Sequence, residues 1–171
     1  ALEFNGEIVS ADSMQVFKAM DIGTAKPSRE DMQRVPHHLI DIVEPTGGYT
    51  AAQFRGDAIR AITGIRSRGR NPFVIGGTGL YIKALTQGLF PGPKADPDLR
   101  KALEKDGRDA LYERLKQIDP ETAASIHPNN RVRVIRALEV YVLTGTPIST
   151  FRKDHGCRDE LFECLKIGLD C

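Results

Sequence analysis

The chain has 171 residues, 40% of them hydrophobic and 27% charged, and its formal net charge is +1. This length suits one compact domain with a smaller insertion, and no apolar run approaches the roughly 20 residues that a membrane-spanning helix needs, which excludes a membrane span. Because 24 basic residues nearly balance 23 acidic ones, overall charge does not point to a nucleic-acid partner, and any such partner has to be inferred from local sites.

The beginning of the chain predicts the end of one element and the start of another. Residues 1–4 are typical of the last turn of a helix closed by Gly6, and residues 7–10 predict a short buried strand. The segment 12–45 is rich in loop-forming residues. Since a helix tail opens the chain without an initiating Met, we expect the sequence to begin inside a longer protein.

A long helix and a second strand follow. Thr50 is a predicted N-cap for a helix that ends near residue 67, residues 72–75 predict a buried strand, and residues 80–86 another helix. The apolar face of the long helix comprises Ala51, Phe54, Ala58, Ile62 and Ile65. Strand, helix and strand in this order form a βαβ unit with parallel strands, so Asp12 and Thr78 are expected at one edge of the sheet.

The residue pattern after Pro91-Gly92-Pro93 is typical of helices. Four helices are predicted, at 96–105, 107–118, 120–126 and 131–143, with Gly145 as the last stop signal. An apolar run at 165–169 predicts a return to a strand. We therefore predict an α/β core in 1–93, an all-helical insertion in 94–156, and a return to the core sheet in 157–171.

Asp12 is the first candidate for a catalytic group. Ligand crevices of open α/β sheets lie outside the carboxyl ends of the strands, which is where Asp12 would stand. It could be a general base, a magnesium ligand, or an N-cap or turn residue, and an isolated Asp at a strand end is more often structural. Its loop also contains Ser13, Gln15, Thr24 and Lys26, neighbours that could orient a substrate and fix the ionisation of a base.

The run Gly76-Gly77-Thr78-Gly79 leaves a strand and enters a helix. Such a turn presents free backbone N–H groups to an anion, although glycines there also serve tight strand-to-helix geometry. It is not a Walker A loop, because the pattern GxxxxGK[ST] is absent and the chain contains no Gly-Lys dipeptide. The anion-binding and the purely structural interpretation both stay open.

Other chemistry-bearing residues favour structural roles. Adjacent side chains in an extended loop point apart, so His37 and His38 are not expected to share a metal ion. The three cysteines lack the spacing of zinc ligands and are expected to be reduced thiols: Cys157, Cys164 and Cys171. Three arginines are expected to complement a helix C-terminus: Arg66, Arg68 and Arg70. Arg133 and Arg136 share a helix face, which indicates solvation or contact with phosphates.

Five ordered motifs carry a family resemblance. They are GEIVSADSMQVF at 6–17, DIGTAKP at 21–27, VPHHLID at 35–41, GGTGLY at 76–81 and RALEV at 136–140. Together they resemble the bacterial tRNA dimethylallyltransferases, also called isopentenyl-diphosphate:tRNA transferases. The resemblance covers the chain from residue 1 to about 169, and it implies a P-loop-NTPase-like parallel sheet, incomplete in this chain, with a helical insertion.

The resemblance also implies a reaction, partners and site residues. The reaction is transfer of a dimethylallyl group from dimethylallyl diphosphate, with Mg²⁺, to N6 of the adenosine next to the tRNA anticodon, position 37. Asp12 matches the catalytic base and Thr78 a position near the reacting centre. The positions that match tRNA contacts are Asp12, Ser13, Met14, Gln15, Thr78, Arg100, Val132, Arg133, Val134, Ile135 and Arg136. The implied protein is a cytoplasmic monomer.

The chain departs from this family at both ends. It lacks the initial strand and P-loop, so no diphosphate-binding residue can be assigned, and it lacks the later helices that supply further arginines. We therefore expect little turnover from these residues alone. Three alternatives stay open: an adenylate isopentenyltransferase that acts on a free nucleotide, an inactive RNA-binding remnant, and a nucleotide kinase, which is disfavoured by the missing Walker A loop.

Overall fold

The computed structural model describes residues 1–156 and 161–169. The chain divides into two units, which are called here the α/β unit, residues 1–88 with 161–169, and the helical unit, residues 89–156. Among the described residues, no helix is both long and apolar enough to cross a membrane.

The α/β unit contains a three-stranded parallel sheet and three helices. In chain order they are β1 Gly6–Ser10, α1 Arg29–Arg34, β2 His37–His38, α2 Ala51–Ser67, β3 Asn71–Ile75 and α3 Gly79–Gln87. The strand order is β2-β1-β3, and Ile8 pairs with His37 on one side and with Phe73 on the other. The predicted βαβ unit is therefore present, with β1 and β3 adjacent and parallel.

The core of the α/β unit lies on one face of this sheet. Helix α2 begins at a capping box, in which the Thr50 side chain accepts from the Gln53 amide and the Gln53 side chain accepts from the Thr50 amide. Its predicted apolar face packs against Val9 of β1, and the Phe54 ring stacks on Tyr81 of α3 at 4.3 Å between centroids. Helical spacing in the sequence thus directs this face into the core.

Two local predictions near the start of the unit are wrong. Residues Leu2–Phe4 form a single 3₁₀ turn, which Asn5 rather than Gly6 ends by adopting a left-handed φ of 48°. Helix α1 and strand β2 fall in the segment predicted to be loop. Helix α1 buries no side chain and β2 has two residues, so neither carries an apolar periodicity.

The C-terminal segment of the α/β unit differs from the prediction. Residues 161–169 contain no strand, and Leu165, Ile167 and Leu169 are highly exposed. A strand needs a hydrogen-bonded neighbour, and no described strand pairs with this segment. The segment is nevertheless connected to the unit's core, because Phe162 packs against it and lies under the Arg66 guanidinium. The remaining part of the predicted return, 157–160 and 170–171, lies outside the described residues.

The helical unit contains five described helices. They are α4 Pro97–Leu103, α5 Arg108–Ile118, α6 Pro120–Ser125, α7 Arg131–Thr144 and α8 Ile148–His155. Leu111 and Leu115 of α5 pack with Val134 and Leu138 of α7 in the core. Helix α7 ends at Gly145 with φ of 70°, as the sequence predicts. Helix α8 is not among the predicted helices.

One buried carboxylate joins two helices of this unit. Asp119 is 2% exposed. Its Oδ1 accepts from the Thr122 amide, which caps α6, and its Oδ2 accepts from the Thr122 hydroxyl and from the Ser149 amide in the first turn of α8. These hydrogen bonds hold the pKa of Asp119 below its usual range despite burial, which opposes ionisation.

Candidate active site

The carboxyl ends of β1 and β3 meet at one edge of the sheet. The Ala11 amide donates to the Ile75 carbonyl at 2.7 Å, and the Thr78 amide donates to the Ala11 carbonyl at 3.3 Å. A Cβ at Gly76 would lie 2.3 Å from the Ala11 carbonyl oxygen, so only glycine permits this approach. The two turns that follow the strands are therefore held side by side, with Asp12 in one and Thr78 in the other.

The Asp12 carboxylate is fixed at one oxygen and open at the other. Oδ1 accepts from the Met14 amide at 2.7 Å and from the Gln15 amide at 3.2 Å. Oδ2 has no hydrogen-bond partner among the described residues, and the side chain is only partly buried. One oxygen thus orients the group, while the other has lone pairs available to a ligand.

Thr78 and Ser13 form a hydrogen-bonded pair beside Asp12. The Ser13 amide donates to Thr78 Oγ1 at 2.9 Å, and the Thr78 hydroxyl donates to Ser13 Oγ at 3.2 Å. The hydrogen bond between the two hydroxyls uses one of their two protons. The other hydroxyl proton of the pair is left to be donated to a ligand.

The Gln15 side chain holds the loop that follows β1. Its Oε1 accepts from the Ser10 hydroxyl at 3.0 Å, and its Nε2 donates to the Thr24 and Ala25 carbonyls, at 3.2 Å each. The amide is thus engaged within the protein. Met14, which is 45% exposed, has more freedom to contact a ligand.

Thr24 and Lys26 stabilise the same loop. The Thr24 hydroxyl donates to the Met20 carbonyl at 2.5 Å. The Lys26 side chain is 3% exposed, and its ammonium donates hydrogen bonds to the Phe17 carbonyl and to the Asp21 and Asp41 carboxylates. Neither group is directed at Asp12, so both affect that carboxylate only through the backbone of the loop.

A cleft of about 190 Å³ opens beside Asp12. Its polar lining comprises Ser10, Asp12, Gln15 and His37, and its apolar lining includes Ile8, Ile40 and Ile75. Ile8 and Ile75 lie on the face of the sheet opposite Val9, which belongs to the core. A partly apolar cleft suits a planar base or a branched hydrocarbon. The carboxylate at its margin could accept a proton from such a base.

The positions of the helical unit that match tRNA contacts fall into two groups. Arg100 and Arg136 both bind Glu139, a fully buried carboxylate that also accepts from the Asp96 amide at 2.8 Å. Burial disfavours the charged carboxylate, but hydrogen bonds from both arginines lower the pKa of Glu139 below its usual range. These two arginines therefore organise the unit.

The rest of this set lies on helix α7. Val134 and Ile135 are 1% and 5% exposed and belong to the core of the helical unit. Val132 is 78% exposed and Arg133 is exposed as well. Because a helix turns the side chains of successive residues to different sides, only Val132 and Arg133 present their whole side chains to a partner.

A buried cluster around Glu7 is absent from the sequence-based expectations. Glu7 is 2% exposed and accepts from Arg68 at 2.8 Å and from Arg70 at 3.2 Å, while His38 Nε2 lies 2.7 Å from its Oε2. The Arg68 hydrogen bond outweighs burial and lowers the pKa of Glu7 to about 2. The prediction that Arg68 and Arg70 serve a helix C-terminus is therefore wrong, because both bind a carboxylate on β1. A charged residue inside a predicted strand was the available signal.

The two adjacent histidines have separate partners. His37 Nδ1 lies 2.7 Å from the Val35 carbonyl, whereas His38 faces Glu7. Within 1–156 and 161–169, no group of three or more His, Cys, Asp or Glu side chains is placed to hold a metal ion. Of the cysteines, Cys164 is exposed and free, and the other two lie outside the described residues.

Comparison with known proteins identifies the family. A family model described as IPP transferase matches residues 15–171. The chain belongs to the IPP transferase family. It is 57% identical to tRNA dimethylallyltransferase 2 of Geotalea uraniireducens over 99% of this chain and 56% of that protein. It is 55% identical to tRNA dimethylallyltransferase of Geobacter sulfurreducens over 96% of this chain and 54% of that protein. The chain thus spans about half the length of the curated relatives it matches.

Solved structures agree with this assignment. The full-length tRNA isopentenylpyrophosphate transferase of Bacillus halodurans is 51% identical, covering 85% of this chain and 50% of that one with a TM-score of 0.52. A eukaryotic dimethylallyltransferase acting on tRNA is 33% identical, covering 89% of this chain and 39% of that one with a TM-score of 0.73. The family resemblance and the α/β fold class with a P-loop-like sheet are confirmed.

Proposed function

We propose that the protein transfers a dimethylallyl group from dimethylallyl diphosphate to N6 of the adenosine next to the anticodon of tRNA. The observation that carries this proposal is the Asp12 carboxylate. It stands at the carboxyl edge of the sheet in a member of this family and lines the cleft, with Oδ1 fixed by two amides and Oδ2 without a hydrogen-bond partner among the described residues. That is the arrangement a general base needs.

The chemistry assigns a step to Asp12. The N6 nitrogen of adenine forms a bond to C1 of the dimethylallyl group while the bond from C1 to the diphosphate oxygen breaks, and the diphosphate leaves with the electron pair. The N6 proton passes to Asp12 Oδ2. Proton removal by a positioned carboxylate contributes about 10²- to 10⁴-fold to such a reaction.

The leaving diphosphate needs hydrogen-bond donors for its developing charge. The Ser13–Thr78 pair has one hydroxyl proton that is not used within the pair, so we assign the contact with the leaving diphosphate to this pair. The target base must leave its stack to enter the cleft. The half-exposed Met14 side chain would lie against that base, while the Asp12–Gln15 turn borders its edge.

A Mg²⁺ ion is proposed to arrive with the diphosphate donor. The ion prefers one or two carboxylates together with phosphate oxygens and water. Among the residues that line the cleft, Asp12 is the carboxylate, and in the described part of the chain no group of three or more His, Cys, Asp or Glu side chains could hold an ion. These residues do not by themselves form a magnesium site.

The helical unit is proposed to contact the tRNA. Val132 and Arg133 offer exposed side chains, and Arg100 and Arg136 are 38% and 29% exposed at the side chain while bound to Glu139. The side chains of Val134 and Ile135 are excluded from that role in this conformation. Since RNA loops are recognised by shape and local contacts, a net charge of +1 does not oppose it. We place the protein in the cytoplasm as a monomer.

The test compares acceptors for one labelled donor. The complete gene product is incubated with radiolabelled dimethylallyl diphosphate, Mg²⁺ and one of three acceptors. These are an anticodon stem-loop with adenosine next to the anticodon, the same stem-loop with guanosine there, and AMP. We expect label on the first acceptor alone. Label on AMP would indicate an adenylate isopentenyltransferase, and salt-dependent stem-loop binding without label would indicate an inactive RNA-binding protein.

A further inference from the structure

Lys26 lies in the DIGTAKP motif but has no part in the chemistry described above. Its side chain is 3% exposed, and its ammonium donates to the Phe17 carbonyl at 2.9 Å, to Asp21 at 2.7 Å and to Asp41 at 2.6 Å. An ammonium has three donors, so all of them are used. Burial lowers the pKa of Lys26, but the hydrogen bonds to Asp21 and Asp41 outweigh it and raise the pKa above its usual range.

The segments that Lys26 joins contain several non-glycine residues with an unfavourable, positive φ. Among the described residues, five non-glycine residues adopt positive φ, and four of them lie within the segments 17–26 and 39–41 that this ammonium joins: Ala19, Ala25, Leu39 and Asp41. Ala25, with φ of 49°, directly precedes Lys26, and Asp41, with φ of 55°, accepts its hydrogen bond. Such conformations persist only where several interactions fix them together.

A continuous set of hydrogen bonds leads from Lys26 to Asp12. The Thr24 and Ala25 carbonyls, which directly precede Lys26, accept from the Gln15 side-chain amide. The Gln15 carbonyl accepts from the Asp41 amide at 3.2 Å, and the Gln15 amide donates to Asp12 Oδ1. Lys26 therefore fixes both backbone segments that hold Gln15, and Gln15 helps to hold the carboxylate.

We propose that Lys26 is a positioning residue for the transfer reaction, which sets the orientation of the Asp12 carboxylate through the Gln15 backbone and side chain. This inference rests on the proposed function. It assigns Lys26 no contact with either substrate, because its three donors are taken up by Phe17, Asp21 and Asp41. A small displacement of a catalytic group can reduce a rate by about a hundredfold, which makes the role measurable.

The test replaces Lys26 by a side chain of similar length without charge. Lys26→Met is compared with the matched control Lys18→Met. The Lys18 ammonium pairs with Glu44, but the Lys18 side chain is half exposed. Asp21 and Asp41 have side chains that are 65% and 43% exposed, so water can solvate them after the substitution and the protein should fold. Asp41→Asn serves as a second variant, because it weakens the contact between Lys26 and Asp41 by removing the charge of the more exposed partner.

Two measurements are made on the complete gene product. For Lys26→Met we expect kcat for the stem-loop to fall by about a hundredfold while KM for dimethylallyl diphosphate stays within about twofold. We also expect the Gln15 and Ser13 amides to exchange hydrogen roughly tenfold faster, with no change at α2 amides such as that of Ala58. Asp41→Asn should show smaller changes of the same kind, and Lys18→Met none.

Other results would overturn the inference. Equal kcat for Lys26→Met and Lys18→Met would do so, as would a lower kcat with unchanged exchange at Gln15 and Ser13. A uniform rise of exchange that includes α2 would show a purely structural role. If the unsubstituted protein transfers nothing, the proposed function fails, and the hydrogen-exchange comparison alone decides whether Lys26 holds this loop.

Discussion

Asp12 in the α/β unit and Glu139 in the helical unit both belong to family motifs, but their hydrogen bonds differ. Asp12 has one oxygen bound by two amides of its own turn and one without a partner among the described residues. Glu139 is fully buried, and both of its oxygens accept from arginines. A carboxylate with satisfied oxygens cannot take a substrate proton without losing those bonds. Free lone pairs, rather than motif membership, therefore distinguish the catalytic candidate from the structural one.

Asp12→Asn is expected to give the largest effect and to separate activity from stability. The asparagine carbonyl can still accept from the Met14 and Gln15 amides, but it cannot remove a proton. We expect kcat for transfer to fall about 10³-fold, with the free energy of unfolding within about 0.5 kcal/mol of the original. Steady-state kinetics and urea unfolding measure the two. A variant that loses several kcal/mol of stability and keeps its rate per folded molecule would make Asp12 structural.

Glu139→Gln should give the opposite result in the helical unit. The substitution leaves Arg100 and Arg136 with an uncharged partner in a buried position, and we expect a loss of about 2 kcal/mol in the free energy of unfolding. This loss is smaller than the one expected when a partner is removed from a fully buried ion pair, because both guanidiniums can be partly hydrated. The control is Glu113→Gln, whose exposed pair with Lys116 should contribute less than about 0.5 kcal/mol. Equal effects in the two variants would contradict the structural role of Glu139.

Glu7 extends the comparison to a buried carboxylate within the α/β unit. Its pKa of about 2 in the folded protein lies below the ordinary value of 4.5 expected after unfolding. The ionised form therefore stabilises the fold above pH 4.5, and this contribution is lost as the pH falls toward 2. Its size is about 2 kcal/mol once solvent screening around the half-exposed Arg68 and Arg70 is allowed for.

The measurement is urea unfolding of the original protein and Glu7→Gln between pH 6 and pH 2.5. We expect a difference in stability near pH 6 that shrinks as the pH falls, because protonated Glu7 and glutamine are alike in charge. A difference that stays constant over this range would show that Glu7 acts through packing and not through its charge.

Much of the fold could be predicted because its signals are local. The Thr50 cap and the apolar spacing of α2 lie within one element, and the handedness and parallel arrangement of a βαβ unit then bring Asp12 and Thr78 to one edge. Helices α1 and α8 were missed because they bury one residue between them, Ile148. The strand expected at 165–169 needed a partner strand, which an apolar run does not reveal.

The candidate site could be predicted in its location but not in its hydrogen bonds. The contacts of Lys26 with Asp41 and of Glu7 with Arg68 join residues 15 and 61 positions apart. Such contacts depend on how loops close around the sheet, and no spacing rule for helices or strands reports them. The sequence therefore placed Lys26 near Asp12 as a neighbour, whereas its ammonium is turned away and acts on the backbone.

Arg133→Ala gives the smallest expected effect and sharpens the comparison within helix α7. Arg133 is exposed, whereas Arg136, one turn further, binds Glu139 and the Pro93 carbonyl. If Arg133 contacts a tRNA phosphate, its removal should weaken stem-loop binding by roughly three- to tenfold and reduce the slope of log K against log salt by about 0.7. Filter binding between 50 and 200 mM KCl, roughly the range over which phosphate contacts are resolved, measures both.

Arg136→Ala serves as the contrast, because it should lower the unfolding free energy by about 1–2 kcal/mol, whereas Arg133→Ala should leave it unchanged. An unaltered salt slope in Arg133→Ala would show that Arg133 contacts no tRNA phosphate and that this helix face is solvated.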